Sequence, residues 1–272
     1  MKKQIIRLLN AIIRVLNTST VNINVGVVDK QSDLTGTYAV VTGGAKGIGK
    51  AISKRIVDGG GKVLMIGRDE KSLIELKTSL GNNANYLVFD ITNFNKYDEF
   101  LKRIFEIMPL MNTLILNAGI SLHEKSFIDV TLDGFDKQIS TNLKAYYFLT
   151  QKFIKSVKLG NIIFISSETA DMKCLLPYGL TKAAINSFVG ALSCKYYKKG
   201  FRINAVAPGV TVTNMVKNNN DKADNFYCNN MGGRYFLPEE VAETVAFLLS
   251  DLSNCISGEV IHTNAGNHHR PQ

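Results

Sequence analysis

The sequence predicts an α/β protein: a single doubly wound parallel sheet of about seven strands with helices on both faces. Three observations predict it. From residue 34 onward, short apolar runs alternate with segments of helical periodicity. Most of those runs are continuously apolar, as strands buried on both faces must be. The first run, YAVVT, passes directly into a glycine-rich turn that opens an apolar-periodic helix.

In chain order, the strands are expected at residues 38–42, 62–66, 86–89, 113–117, 161–166, 202–206 and 259–263. The helices are expected at residues 48–58, 71–80, 96–107, 135–156, 182–197 and 238–249. Repeated β-α-β spacing implies right-handed crossovers that place helices on both faces. No internal repeat and no second domain interrupt the pattern, so residues 34–272 read as one domain.

Residues 1–33 stand apart as an N-terminal helix and a polar linker. In the first sixteen residues, Lys3, Arg7, Asn10 and Arg14 recur at spacings of four, three and four, which stacks them in one stripe. Isoleucines, leucines and a valine fill the remaining circumference. Arg7 and Arg14 interrupt the apolar run, which is too short to cross a bilayer. Peripheral contact of residues 1–16 with an anionic membrane is one reading. Packing on the body of the protein or on a neighbouring subunit is another, and an organelle-targeting peptide a more distant third.

Length and composition limit the remaining classes. The chain has 272 residues, 45% hydrophobic and 20% charged, with 5 prolines, so a large core is attainable and disorder is excluded. The formal charge of +9 calls for an acidic partner. Beyond residue 33, however, acidic and basic side chains are interspersed without a basic-aromatic repeat, which argues against nucleic acid. Cys174, Cys194, Cys228 and Cys255 form no C-x-x-C pair and do not join the histidines at metal spacing. Free thiols in a reducing cytoplasm are expected. The adjacent His268 and His269 read as part of a frayed C-terminal end.

The glycine turn carries the first chemistry. Gly43-Gly44-Ala45-Lys46-Gly47-Ile48-Gly49 follows a strand and opens a helix, the arrangement of a Rossmann-type nucleotide fold. Glycine there lets backbone N–H groups and the helix N-terminus approach a diphosphate without Cβ clashes. The second strand ends at Gly67-Arg68, where an NAD site would place a carboxylate for the ribose hydroxyls. Arg68, with Lys46, instead suits a 2′-phosphate, so NADP(H) is the expected cofactor and NAD(H) the secondary one.

Tyr178 and Lys182 stand four residues apart at a helix start, which puts both on one face. A free phenol has a pKa of about 10, and an adjacent ammonium is expected to bring it toward neutrality. The preceding strand delivers Ser166 and Ser167 to a carboxyl strand end, where open α/β sheets place their ligands.

Together these residues resemble the short-chain dehydrogenase/reductase family. The resemblance rests on Thr42-Gly43-Gly44-Ala45-Lys46-Gly47-Ile48-Gly49, Asp90, Asn117-Ala118-Gly119, Asn142, Ile165-Ser166-Ser167, Tyr178-x-x-x-Lys182 and Pro208-Gly209, in the family's order from about residue 34 to 266. It implies Tyr178 as general acid in carbonyl reduction and base in the reverse direction. It implies that Lys182 lowers the phenol pKa and holds the nicotinamide ribose, that Ser167 rather than Ser166 orients the substrate oxygen, and that Asn142 completes a proton relay. Asp90 and Ile91 would contact the adenine side, and Asn117, Ala118 and Gly119 would flank the cofactor opposite the glycine turn. Beyond Pro208 and Gly209, Thr211 and Thr213 would hold the carboxamide.

The chain also departs from the family pattern. Ser167 and Tyr178 are 11 residues apart, a short interval, and Ala170 replaces a common glycine. Leu116 precedes the Asn-Ala-Gly element, and Thr263-Asn264-Ala265-Gly266 closes the domain where Asp-Gly-Gly is usual. Cys174 borders the expected site. Residues 215–237, expected to cover the substrate, hold six asparagines and two tyrosines, too polar for a steroid pocket.

The resulting expectation is an NADPH-dependent oxidoreductase that reduces a ketone to a secondary alcohol. A 3-oxoacyl thioester on a carrier or a polar, sugar-type ketone would be its substrate, and 3-oxoacyl-(acyl carrier protein) reductases its nearest functional resemblance. The alternative is an NADP(H)-binding regulatory or scaffold protein with little turnover. The resemblance further implies a homotetramer or dimer in the cytoplasm.

Overall fold

The computed structural model describes residues 34–172, 174–213 and 231–269. The expected N-terminal helix, most of the substrate-covering segment and Cys228 lie outside the described residues. Among those described, no helix is long and apolar enough to cross a membrane, and Cys174, Cys194 and Cys255 are free.

Seven strands form one parallel sheet in the order β3-β2-β1-β4-β5-β6-β7. They are β1 (Tyr38–Thr42), β2 (Lys62–Gly67), β3 (Ala84–Val88), β4 (Thr113–Leu116), β5 (Gly160–Ile165), β6 (Phe201–Pro208) and β7 (Val260–Thr263). From β1 in the middle of the sheet the strands wind outward to β3, return to β4 beside β1, and wind outward again to β7. The reversal lies between β1 and β4, and ligands of open α/β sheets bind outside the carboxyl ends of the strands at that point.

Among the described residues, seven α-helices cover the sheet: α1 (Gly47–Asp58), α2 (Glu70–Leu80), α3 (Tyr97–Ile107), α4 (Leu132–Ile139), α5 (Ala145–Ser156), α6 (Pro177–Tyr196) and α7 (Pro238–Leu249). Successive strand residues point to opposite faces, so each buried run feeds two cores. Val40, Leu64, Ile66 and Leu116 pack with Phe100 and Ile104 of α3, Tyr146 and Phe153 of α5 and Ile185 of α6. Val41, Val63, Met65 and Ile115 pack with Ile52 and Ile56 of α1, Leu73 of α2 and Val245 of α7. On that second face Arg55 of α1 donates from Nε to both Glu243 oxygens of α7, at 2.8 and 3.0 Å.

Three sequence expectations are corrected. The helix expected over residues 135–156 is split: α4 and α5 are joined by a π-helical turn, Ser140–Lys144, which carries the fully buried Asn142. The helix expected from residue 182 begins at Pro177, because proline at a first helical position lacks an N–H that would be unpaired anyway. Tyr178 and Lys182 therefore lie wholly within its first two turns. The C-terminal end is not frayed through His269: the His268 ring stacks on His262 at 3.7 Å, and His262 Nε2 lies 2.7 Å from Asp171 Oδ2.

Candidate active site

A cleft of about 1370 Å³ runs along the carboxyl ends of the strands. One end is built from the turn between β1 and α1. Gly43 and Gly47 adopt φ of +65° and +50°, which strain any residue with a Cβ. Gly49 faces inward: a Cβ there would strike the Gly43 carbonyl and the Asn117 amide nitrogen. The turn is locked to β4 by hydrogen bonds. Thr42 Oγ1 accepts from the backbone N–H of Asn117 at 3.0 Å and of Ala118 at 3.1 Å. Asn117 Nδ2 donates back to the carbonyls of Thr42 at 3.0 Å and Gly43 at 3.2 Å. The Asn117 side chain thus holds the cofactor turn in place.

The cleft brings together most residues singled out in the sequence. Gly43, Ala45, Lys46, Gly47, Ile48 and Arg68 line one end with Asp90 and Ile91. Asn117, Ala118, Gly119, Ser167, Tyr178, Lys182, Pro208, Gly209, Thr211 and Thr213 line the rest, with the Thr213 side chain against Gly47. Gly44, Gly49 and Asn142 lie behind the wall and support it. The volume exceeds the ~300–1,000 Å³ of an ordinary ligand pocket, leaving room for a dinucleotide and a substrate together. Together with the glycine turn, that volume fits a nicotinamide dinucleotide.

The cation pair at residues 46 and 68 needs a correction. The sequence reading found no carboxylate near these cations, but the fold supplies two. Lys46 Nζ lies 2.5 Å from Asp69, and Arg68 lies 3.6 Å from Asp90. Asp69 caps α2, accepting from the Ser72 N–H, and Lys46 with Ser72 draws its carboxyl down to about 2. Burial pushes the Asp90 carboxyl up, but the Thr92 amide and hydroxyl, with Arg68, hold it below its ordinary value. The sequence signal for Asp69 is the capping pattern Asp-x-x-Ser at a helix start, directly after Gly67-Arg68.

At the opposite end, α6 turns Tyr178 and Lys182 toward the end of β5. Lys182 Nζ donates to the Ile165 carbonyl at 2.7 Å and lies 5.6 Å from the Tyr178 ring centre and 5.5 Å from that of Tyr146. Asn142 clasps Ile120, accepting from its N–H at 2.9 Å and donating to its carbonyl at 2.8 Å. Gly119 separates these two side chains: a Cβ there would sit 3.3 Å from Asn142 Oδ1 and 3.7 Å from Lys182 Nζ. Ser166 is committed elsewhere, donating to Asn186 at 2.6 Å. Ser167 Oγ accepts from Thr169 Oγ1 at 3.0 Å, and its hydroxyl neighbours the Tyr178 phenol.

The electrostatics differ from the sequence expectation. Burial pushes the Tyr178 phenol above its ordinary value, and only the Ser167 hydrogen bond opposes this. Burial also pushes the Lys182 ammonium down to about 7. The ammonium is spent on a backbone carbonyl rather than on the phenol oxygen, so desolvation outweighs attraction for both groups. Near neutrality the phenol keeps its proton.

With this geometry in place, similarity to known proteins decides the family. A short chain dehydrogenase family model matches residues 37–224. The chain belongs to the short-chain dehydrogenase/reductase family. It is 32% identical over 240 residues to a 3-oxoacyl-(acyl-carrier-protein) reductase of Rickettsia felis, covering 86% of this chain and 98% of that protein. It is also 31% identical over 251 residues to a tropinone reductase homologue of Arabidopsis thaliana, covering 88% of this chain and 95% of that one. Among solved structures, a 3-ketoacyl-(acyl-carrier-protein) reductase from Brucella melitensis complexed with NADH superimposes with a TM-score of 0.78 at 25% identity, over 86% of this chain and 99% of that one. This member of the family is an NAD(P)-dependent oxidoreductase acting on the alcohol–ketone couple.

Proposed function

We propose that this short-chain dehydrogenase/reductase is an NADPH-dependent ketone reductase in which Tyr178 is the general acid. One observation carries the reading: Ser167, Tyr178 and Lys182 converge at the end of a cleft whose other end is a glycine turn. NADPH, when bound, supplies the hydride that reaches the carbonyl carbon. The Ser167 hydroxyl, beside Tyr178, holds the substrate oxygen next to the phenol. Tyr178 gives that oxygen its proton as the negative charge develops. Lys182 holds the nicotinamide ribose, and Asn142 positions the Ile120 backbone along the relay that returns a proton. Asp90 and Ile91 face the adenine, while Thr211 and Thr213 face the carboxamide.

The preference for NADPH is supported by Lys46 and Arg68 at the cleft rim. Their partners do not forbid it, because exposed ion pairs contribute only ~0–1 kcal/mol and a phosphate can displace a carboxylate. Wild-type kcat/KM is expected to favour NADPH over NADH by about tenfold, and Arg68→Ala to remove most of that margin. A wild-type preference for NADH would overturn the cofactor assignment.

The similarity to carrier-protein reductases supports a 3-oxoacyl thioester as one candidate substrate class. The polar segment at residues 215–237 supports polar ketones as the other. NADPH oxidation against an acetoacetyl thioester and a ketone panel tests the activity. Tyr178→Phe should lower kcat by about 10²-fold or more. Undiminished turnover by that variant refutes the mechanism.

A further inference from the structure

Among the described residues only two charged side chains are buried, Lys182 at 3% exposure and Glu168 at 5%. Both line the cleft, and both follow Ser167 in the chain. Lys182 has a role in the reaction above; Glu168 has none.

Burying a carboxylate is expensive unless a cation or several donors compensate it. No lysine or arginine among the described residues forms an ion pair with Glu168. Its Oε2 accepts from two buried amides, Asn264 Nδ2 at 3.2 Å and Asn267 Nδ2 at 2.9 Å, both from the turn after β7. Oε1 accepts from no described residue. The fold therefore anchors one oxygen firmly and leaves the other without a donor. Glu168 opens the 3₁₀ turn Glu168–Ala170, so its backbone directly continues that of Ser167. Thr169, Cys174, Leu176 and Tyr178 line the same part of the cleft.

We propose that Glu168 is a specificity-determining residue that selects ketones carrying a hydroxyl group next to the reacting carbonyl. Ser167 takes the carbonyl oxygen, and the adjacent Glu168 accepts the hydrogen bond of the neighbouring hydroxyl. A substrate lacking the hydroxyl displaces solvent from that oxygen and leaves it without a donor, which is how a polar site rejects an apolar analogue. The proposal rests on the ketone-reductase reading and narrows its substrate class to hydroxyketones.

The test uses the full-length chain with NADPH and a matched pair, 1-hydroxy-2-hexanone and 2-hexanone, with an acetoacetyl thioester as a third substrate. Wild type should favour the hydroxyketone in kcat/KM by about tenfold to a hundredfold, the range supported by one hydrogen bond to a charged group. Glu168→Gln should reduce that ratio by about tenfold. A wild-type ratio at or below one overturns the proposal without any variant, so a misfolded Glu168→Gln does not rescue it. A variant that slows both ketones by the same factor assigns Glu168 a purely structural role and also overturns it. Turnover of the thioester with neither ketone reduced removes the role of Glu168 while the reductase reading stands. Absence of NADPH oxidation with all three substrates removes both.

Discussion

Tyr178 and Lys182 show how burial redirects a pair that spacing alone describes as mutually stabilising. Each loses more by leaving water than it gains from the other, so the phenol is held in its protonated form, the form the proposed reduction uses. The lysine makes this visible in stability. Its ammonium titrates at about 7 in the folded protein and at about 10.4 in an unfolded chain. Between those values the unfolded state binds more protons, so stability rises with pH across the window and is lost as pH falls through 7. The melting temperature of wild type should therefore rise relative to Lys182→Met between pH 7 and 9; parallel curves would refute the burial argument. Tyr146 offers a second case. It is fully buried and its hydroxyl has no partner among the described residues. An unsatisfied buried hydroxyl costs about 1–3 kcal/mol, and phenylalanine keeps the ring beside Lys182. Tyr146→Phe should leave the melting temperature unchanged or raise it, and a fall of several degrees would reveal a bound partner.

Among the elements, the β1–α1 turn and the π-helical turn contribute most to the site. The turn is shaped by its glycines, but its position relative to β4 depends on Thr42 and Asn117. Gly49→Ala would push its Cβ into the Gly43 carbonyl and the Asn117 amide. Overpacking of this kind typically costs ~1–3 kcal/mol. The expected outcome is weaker NADPH binding, read by cofactor fluorescence, with a smaller loss of thermal stability. Unchanged affinity would mean that the turn relaxes freely. In the π-helical turn, wider winding sets Asn142 behind Gly119, where its amide fixes the Ile120 backbone. Such turns recur at functional sites, and the apolar periodicity of residues 135–156 carries no mark of one.

At the scale of the whole molecule, the apolar side chains left in solvent suggest a second copy of the chain. Ile128 is 90% exposed, Leu132 86% and Phe127 66%, while Tyr147 of α5 is 46% exposed. An oligomer, tetramer or dimer, is the expected state, and light scattering after size exclusion should give a multiple of the 30.0 kDa chain mass. A monomer at micromolar concentration would refute it. Under the proposed function, Lys46 and Arg68 would account for part of the basic charge by meeting a cofactor phosphate.

The sequence alone determined the layered α/β class, most strand and helix positions to within a few residues, the glycine turn and the shared helix face of Tyr178 and Lys182. These are local matters of periodicity, turn chemistry and spacing on one helix. Tertiary structure decided the rest. It set Asp69 against Lys46, committed Ser166 to Asn186, and brought Asn264 and Asn267 onto Glu168 across 96 and 99 residues of chain. It also reversed the expected direction of the Tyr178 shift. The physical reason is shared: desolvation and long-range hydrogen bonds depend on which segments the fold packs together, and spacing along the chain does not carry that information.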